Sequence, residues 1–135
     1  MDPLNRLFLA VDNNTHEILS TVFLREFPRS STISNDSIIE PPITFGIYGL
    51  WTLPTARRRG IARALLEEVM GVTRNVARLR GSDCQLEVEA YKQNEGALQL
   101  YRSAGFEVYQ DPASGDMQKF TLLFPEPGKG DDRVA

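Results

Sequence analysis

The chain has 135 residues with a net charge of −3, 41% hydrophobic and 24% charged, the profile of one ordinary globular domain. One cysteine (Cys84) excludes an internal disulfide and a multi-cysteine zinc site, and one histidine (His16) excludes a histidine-rich metal centre. A pI of about 5.2 argues against a general nucleic-acid binder, and no apolar run approaches the ~20 residues of a membrane-spanning helix.

Met1 to Arg6 lacks the basic-then-apolar pattern of a secretory signal. The expected location is therefore cytoplasmic, with the nucleus as the alternative. Arg6–Val11 is a short apolar run with strand character, and Asp12–Thr15 supplies turn residues. Ile18–Phe27 then predicts the second strand of an antiparallel hairpin. Pro28–Pro42, rich in Ser, Thr and Pro, predicts a long loop. Phe45–Leu53 predicts a mostly apolar third strand, stopped by Pro54.

The spacing of Ile61, Leu65, Val69, Val72, Val76 and Leu79 predicts one apolar stripe. It belongs to a helix from about Gly60 to about Arg80, closed by Gly81. Gln85–Ala90 alternates with period two and predicts a strand. Asn94–Ala104 predicts a second helix, with Asn94 as N-cap and Gly105 just past its end. Phe106–Tyr109 and Gln118–Phe124 predict a closing hairpin. Pro125–Ala135, polar with Gly and Pro, predicts a disordered tail. The order β-β-β-α-β-α-β-β defines an α/β fold with a mixed sheet, one domain over 1–124 with its core in 6–124.

Charge is unevenly spread. Residues 57–80 hold seven arginines (57, 58, 59, 63, 74, 78 and 80) against Glu67 and Glu68 only. Four of them crowd the start of the first helix, where no carboxylate stands. Each cation there is unfavourable by a few tenths of a kcal/mol or more against the positive end of the helix dipole. An anion seated on the first-turn N–H groups reverses that sign. Gly60 allows close backbone approach and Ala62 keeps the next position small. The competing reading is a solvated arginine cluster with Thr55 as an ordinary N-cap.

The same stretch resembles motif A of the GNAT superfamily of N-acetyltransferases. The motif Q/R-x-x-G-x-G/A stands here as Arg57-x-x-Gly60-x-Ala62 behind Leu53-Pro54. A second family segment, N-x-x-A-x-x-L-Y-x-x-x-G-F, is matched by Asn94, Ala97, Leu100, Tyr101, Gly105 and Phe106. The resemblance spans about residues 6–124 and implies the acyl-CoA N-acyltransferase fold.

It further implies acetyl-coenzyme A (acetyl-CoA) as cosubstrate, with no metal. Its pyrophosphate would lie on the turn formed by Arg57, Arg58, Arg59, Gly60, Ile61 and Ala62. Its pantetheine arm would pair like a strand beside Trp51, Thr52 and Leu53, where the central parallel strands part. Asn94 would contact the pantetheine, cap its helix, or do both. Tyr101 would protonate the departing thiolate; read from the residues alone it is a core tyrosine. For the base that takes a proton from the amine, Glu87 and Glu89 are candidates, with His16 and Tyr48 behind them, and the role stays unassigned. Cys84 reads as a small buried residue.

The resemblance has gaps. The usual fold opens with a strand and two helices ahead of the first hairpin seen here, and those helices form much of the acceptor site. The Pro28–Pro42 connection is longer than usual, and Val88–Asn94 has about two more residues than many members. Two functions stay open: acetyl transfer to a small-molecule or protein amine, or a catalytically weak coenzyme A-binding or interaction module. Neither a nucleic-acid nor a membrane partner is expected. The first two strands carry apolar residues on both faces. An uncovered sheet face is therefore expected, with a homodimer through it or the Pro28–Pro42 loop folded over it.

Overall fold

The computed structural model describes residues 2–29, 32–34, 37–110, 113 and 115–128. Strands β1 (Asn5–Val11) and β2 (Ile18–Glu26) form the expected hairpin. The region expected to be a loop contains two short strands, β3 (Thr32–Ser34) and β4 (Ser37–Ile39), which pair only with each other. This corrects the loop expectation: three-residue strands are too short to show an alternating pattern. Then come β5 (Ile43–Thr52), a single 3₁₀ turn (Pro54–Ala56), α1 (Ile61–Arg80), β6 (Cys84–Tyr91), α2 (Glu95–Ser103), β7 (Glu107–Tyr109) and β8 (Met117–Phe124). The main sheet has six strands in the order β1-β2-β5-β6-β8-β7.

β5 and β6 are parallel, with α1 as their crossover. β6 and β7 both run antiparallel to β8, so they point the same way, with α2 between them. Two right-handed crossovers that advance in one direction place both helices on one face. An Arg63 Nη1 to Ser103 Oγ hydrogen bond of 2.9 Å joins the helices there. The core lies beneath them: Val22, Leu24, Phe45, Leu66, Val69, Leu86 and Phe120 are fully buried.

The helix ends obey local sequence chemistry. Gly81 takes φ +60°, and the Ser82 N–H donates to the Ala77 carbonyl at 3.2 Å, closing α1 as a left-handed cap. Asn94 Oδ1 accepts the Ala97 N–H at 3.1 Å and starts α2. Gly105 ends α2 at φ +100°, with the Phe106 N–H donating to the Tyr101 carbonyl at 3.0 Å. One stripe member departs: Leu79 is 68% exposed, and Ala77 and Thr73 are buried instead.

Among the described residues no helix covers the opposite sheet face. Leu7, Leu9, Val11 and Ile18 are exposed there, in register with Phe23, Thr21 and the Tyr48 and Trp51 side chains of β5. The uncovered apolar face is thus present as expected, and the β3–β4 hairpin does not shield it. At the C-terminus the Glu126 N–H donates to Asp83 Oδ1 at 2.8 Å, so the chain is still docked one residue past Pro125. The tail expected over 125–135 lies outside the described residues from 129 onward.

A clamp ties the end of α1 to β2. Arg80 Nη1 donates to Glu26 Oε2 at 2.8 Å, and the Leu4 N–H donates to Glu26 Oε1 at 2.8 Å. Burial alone would raise the Glu26 carboxyl; the two hydrogen bonds and the Arg80 charge outweigh it and hold the pKa below its usual 4.5. A lowered carboxyl pKa gives stability that is full above the unfolded value and lost as pH falls through the folded one. Glu26→Gln should lower unfolding free energy by about 1–3 kcal/mol at neutral pH. It should also flatten the loss of stability below about pH 4.5. Urea unfolding across that range checks both outcomes.

Candidate active site

The site begins where two strands part. β5 pairs with β6 over only four residues, Ile43–Gly46 against Cys84–Glu87. β6 stays paired with β8 along its whole length, so β5 is the strand that leaves. Its register against β2 shows why. Tyr48 faces Phe23 and Trp51 faces Thr21, so Gly49 and Leu50 together oppose Val22 alone. This is a β-bulge, which bends the strand that carries it. Gly49 takes φ +60°, and its carbonyl accepts the Thr21 hydroxyl at 3.0 Å. The resulting gap holds a cavity of about 210 Å³, lined by Ile47, Leu50, Ala90, Asn94 and Tyr101 among others. Glu89 and Met117 line it from the uncovered side, so the gap passes through the sheet.

Beyond the gap lies the turn into α1, beside a cavity of about 300 Å³. Thr52, Arg57, Arg58, Gly60, Ile61 and Ala62 line it, with Gly96 and Leu100 of α2 opposite. Thr55 sits in the 3₁₀ turn, so the ordinary-cap reading fails: the N-cap is Gly60, and no side chain caps the helix. The first helical bond runs from the Ala64 N–H to the Gly60 carbonyl at 3.0 Å. The N–H groups of Ile61, Ala62 and Arg63 precede that bond and have no intrahelical acceptor. No acid stands in the first turn of this 20-residue helix. Gly60 has φ +75° with nothing within 4 Å of a built Cβ, so glycine serves the backbone angle.

The arginines divide by task. Arg57 Nε donates to the Thr52 carbonyl at 3.1 Å and braces the turn. Arg63 is held by Glu67 at 3.3 Å and by Ser103. Arg58 and Arg59 donate no hydrogen bond among the described residues, and Arg58 holds a left-handed φ of 64°. Arg58 lines the cavity and is the side chain free to meet an anion; Arg59 does not line it, and its charge acts on the Asp12 carboxylate.

Tyr101 is buried between Phe106 and Phe120, with ring centroids at 5.7 and 5.6 Å. Burial pushes its pKa up to about 12, so the phenol is neutral at ordinary pH. Among the described residues its hydroxyl has no hydrogen-bond partner, and the residue lines the gap. Asn94 lies on the same gap, with its Oδ1 engaged in the cap.

Trp51 and Leu53 do not join the cavities. Trp51 is on the uncovered face and its carbonyl accepts Ser20 Oγ at 2.7 Å. The Leu53 N–H donates to the Leu19 carbonyl at 2.8 Å. The β5 segment that borders the gap is Ile47–Leu50, earlier than the sequence suggests. The signal for it is Gly49, an isolated glycine within a strand.

Glu87 and Glu89 line a third cavity of about 520 Å³ on the uncovered face, with Phe27, Gly46, Tyr48 and Lys119. Glu89 borders both this groove and the gap. His16, in the β1–β2 turn, borders neither. Cys84 is buried as expected, and burial pushes its thiol up to about 11. Among the described residues no cluster of His, Cys, Asp and Glu could hold a metal ion.

Known proteins share this fold. The profile of the acetyltransferase (GNAT) domain matches residues 3–108, and the chain belongs to the GNAT family. Arabidopsis thaliana NAA60 with a bisubstrate analogue superposes with a TM-score of 0.67 at 18% identity, covering 88% of this chain and 75% of the other. The same protein with acetyl-CoA gives 0.61 at 18%, covering 92% and 77%. A GNAT acetyltransferase from Staphylococcus aureus gives 0.63 at 17%, covering 89% and 68%. At these identities the likeness is one of fold. No curated protein sequence matches the chain.

Coenzyme A at ~100 times its dissociation constant should stabilise the fold by about 2.7 kcal/mol, read as a rise in melting temperature. Arg58→Ala should shrink that rise and leave the ligand-free melting temperature almost unmoved. An unchanged rise in Arg58→Ala would remove this side chain from the anion site.

Proposed function

We propose that the protein is an acetyl-CoA-dependent N-acetyltransferase that moves the acetyl group to a primary amine by direct attack in a ternary complex. One observation carries this reading: a gap through the sheet opens onto a carboxylate-lined groove, with Tyr101 at its edge, and the bare N-terminus of α1 borders a cavity beside that gap. The residues fit the cosubstrate. Free N–H groups and Arg58 suit the pyrophosphate, and the unpaired stretch of β5 suits an amide-bearing arm.

When bound, acetyl-CoA supplies a thioester carbonyl carbon. On the acceptor side Glu89 takes one proton from the ammonium, directly or through a water, leaving a free amine. The amine nitrogen bonds to that carbon as the carbon–sulfur bond breaks. Tyr101 gives its hydroxyl proton to the departing sulfur, and the second proton lost by the nitrogen restores the phenol. The net products are an amide, a thiol and one proton.

The uncovered face favours a second reading, a coenzyme A-binding module with weak catalysis. Thiol release with a panel of amines separates the two. A homodimer through Leu7, Leu9 and Val11 belongs to either reading. It should appear as a mass that rises with concentration in light scattering, and Leu9→Lys should abolish the rise.

Tyr101→Phe should lower turnover by about 10²–10⁴-fold while acetyl-CoA binding changes little. Equal turnover in the variant would return Tyr101 to a packing role.

A further inference from the structure

The groove on the uncovered face has a wall built on one glycine, and its role as the acceptor site rests on the acetyl-transfer reading. Gly46 faces Arg25 across β2 and Glu87 across β6. A Cβ at this position would lie 2.6 Å from Phe27 Cζ, 2.7 Å from Tyr48 Cε2 and 2.8 Å from the Tyr48 hydroxyl oxygen. The rings of Phe27 and Tyr48 therefore occupy the space a side chain would fill. They pack edge-to-face, with centroids 6.3 Å apart and planes at 89°. Gly46 lets both rings lie down on the sheet beside the Glu87 carboxylate.

Glu87 and Glu89 project from the same face of β6; Glu87 stands one strand spacing of ~4.8 Å from Gly46 of β5, and Glu89 lies where the two strands have parted. The groove thus sets an aromatic wall against an acidic one. Two cations stand nearby: Lys119 lines the groove, and Arg25 lies beside Phe27 outside its lining. The Arg25 guanidinium lies 5.9 Å from the Phe27 ring centroid. Lys119 is the β8 partner of Glu89, and its Nζ lies 5.5 Å from the Tyr109 ring centroid.

We propose that this groove selects a primary amine with a single positive charge next to an aromatic or bulky apolar group, and that Tyr48, seated over Gly46, is the specificity-determining residue. The ammonium meets Glu89 at the edge of the gap. The flat group beside it lies along Tyr48 and Phe27, where aromatic contact is favourable. A second ammonium on the acceptor faces Arg25 or Lys119 and is repelled. A free arylalkylamine and a peptide with an aromatic first residue share this chemistry.

The test is amine binding, measured by calorimetry or NMR titration on the coenzyme A-loaded protein. The ligands are 2-phenylethylamine, propylamine, 1,4-diaminobutane and the amide of the dipeptide phenylalanyl-alanine. Phenylethylamine should bind about tenfold or more tighter than propylamine and diaminobutane. Tyr48→Ala should erase its advantage over propylamine, and Arg25→Gln, at an exposed position, should narrow the gap between diaminobutane and propylamine. Stronger binding by the dipeptide amide assigns the chemistry to a peptide terminus, and stronger binding by the free amine to a small molecule. Equal binding of the three simple amines, or an undiminished preference in Tyr48→Ala, overturns the proposal. Because binding is read without transfer, a protein that prefers phenylethylamine but releases no thiol with it refutes the acetyl-transfer reading alone.

Discussion

Backbone N–H and C=O groups inside a protein need partners, and the parting of β5 from β6 leaves a run of them without a neighbouring strand. Ile47, Val88 and Ala90 are buried at this place, so the gap lies within the core layer and is not frayed edge. β6 cannot close it, because β8 holds β6 straight from Cys84 to Tyr91. β5 cannot close it either, because the bulge at Gly49 and Leu50 fixes its bend against β2. The protein is built around a missing strand pairing that an extended ligand can supply. The other features of the site, from the α1 terminus to Tyr101, take their meaning from their position around that break in the ladder.

Electrostatics then give the gap a direction. At the helix side, free N–H groups and Arg58, which donates no hydrogen bond among the described residues, concentrate positive potential. Arg57 and Arg63 hold the turn and the two helices in place. On the uncovered side, Glu87 and Glu89 present negative charge. Tyr101 lies between them, kept neutral by its burial. Part of the arginine cluster thus braces the fold, through Thr52, Glu67 and Ser103.

Much of this was legible along the chain. Gly81, Asn94 and Gly105 act through neighbours a few residues away, so their sequence signals were sufficient. The turn Arg57–Ala62 was legible for the same reason. What was hidden depends on partners distant in sequence. The four-residue pairing of β5 with β6 is set by register against two other strands, and no local pattern encodes it. Arg63 reads as part of an anion cluster in the sequence, but Ser103, forty residues away, holds it in the fold. Leu79 continues the apolar stripe, yet at the last turn of α1 Ala77 and Arg80 face the sheet, Arg80 bonding Glu26 of β2, and Leu79 stays exposed. The Phe27–Gly46–Tyr48 wall joins residues from separate parts of the chain, and only the packed rings show why position 46 is glycine.

The passage of the gap through the sheet has a kinetic consequence. Under the proposed reaction the donor lies along the helix side and the amine arrives across the uncovered face. Neither then stands in the other's path. The architecture imposes no steric order of addition, and amide and thiol can depart by separate doors. Any fixed sequence of binding in this protein would have to arise from a change of shape on loading, not from one substrate barring the way to the other.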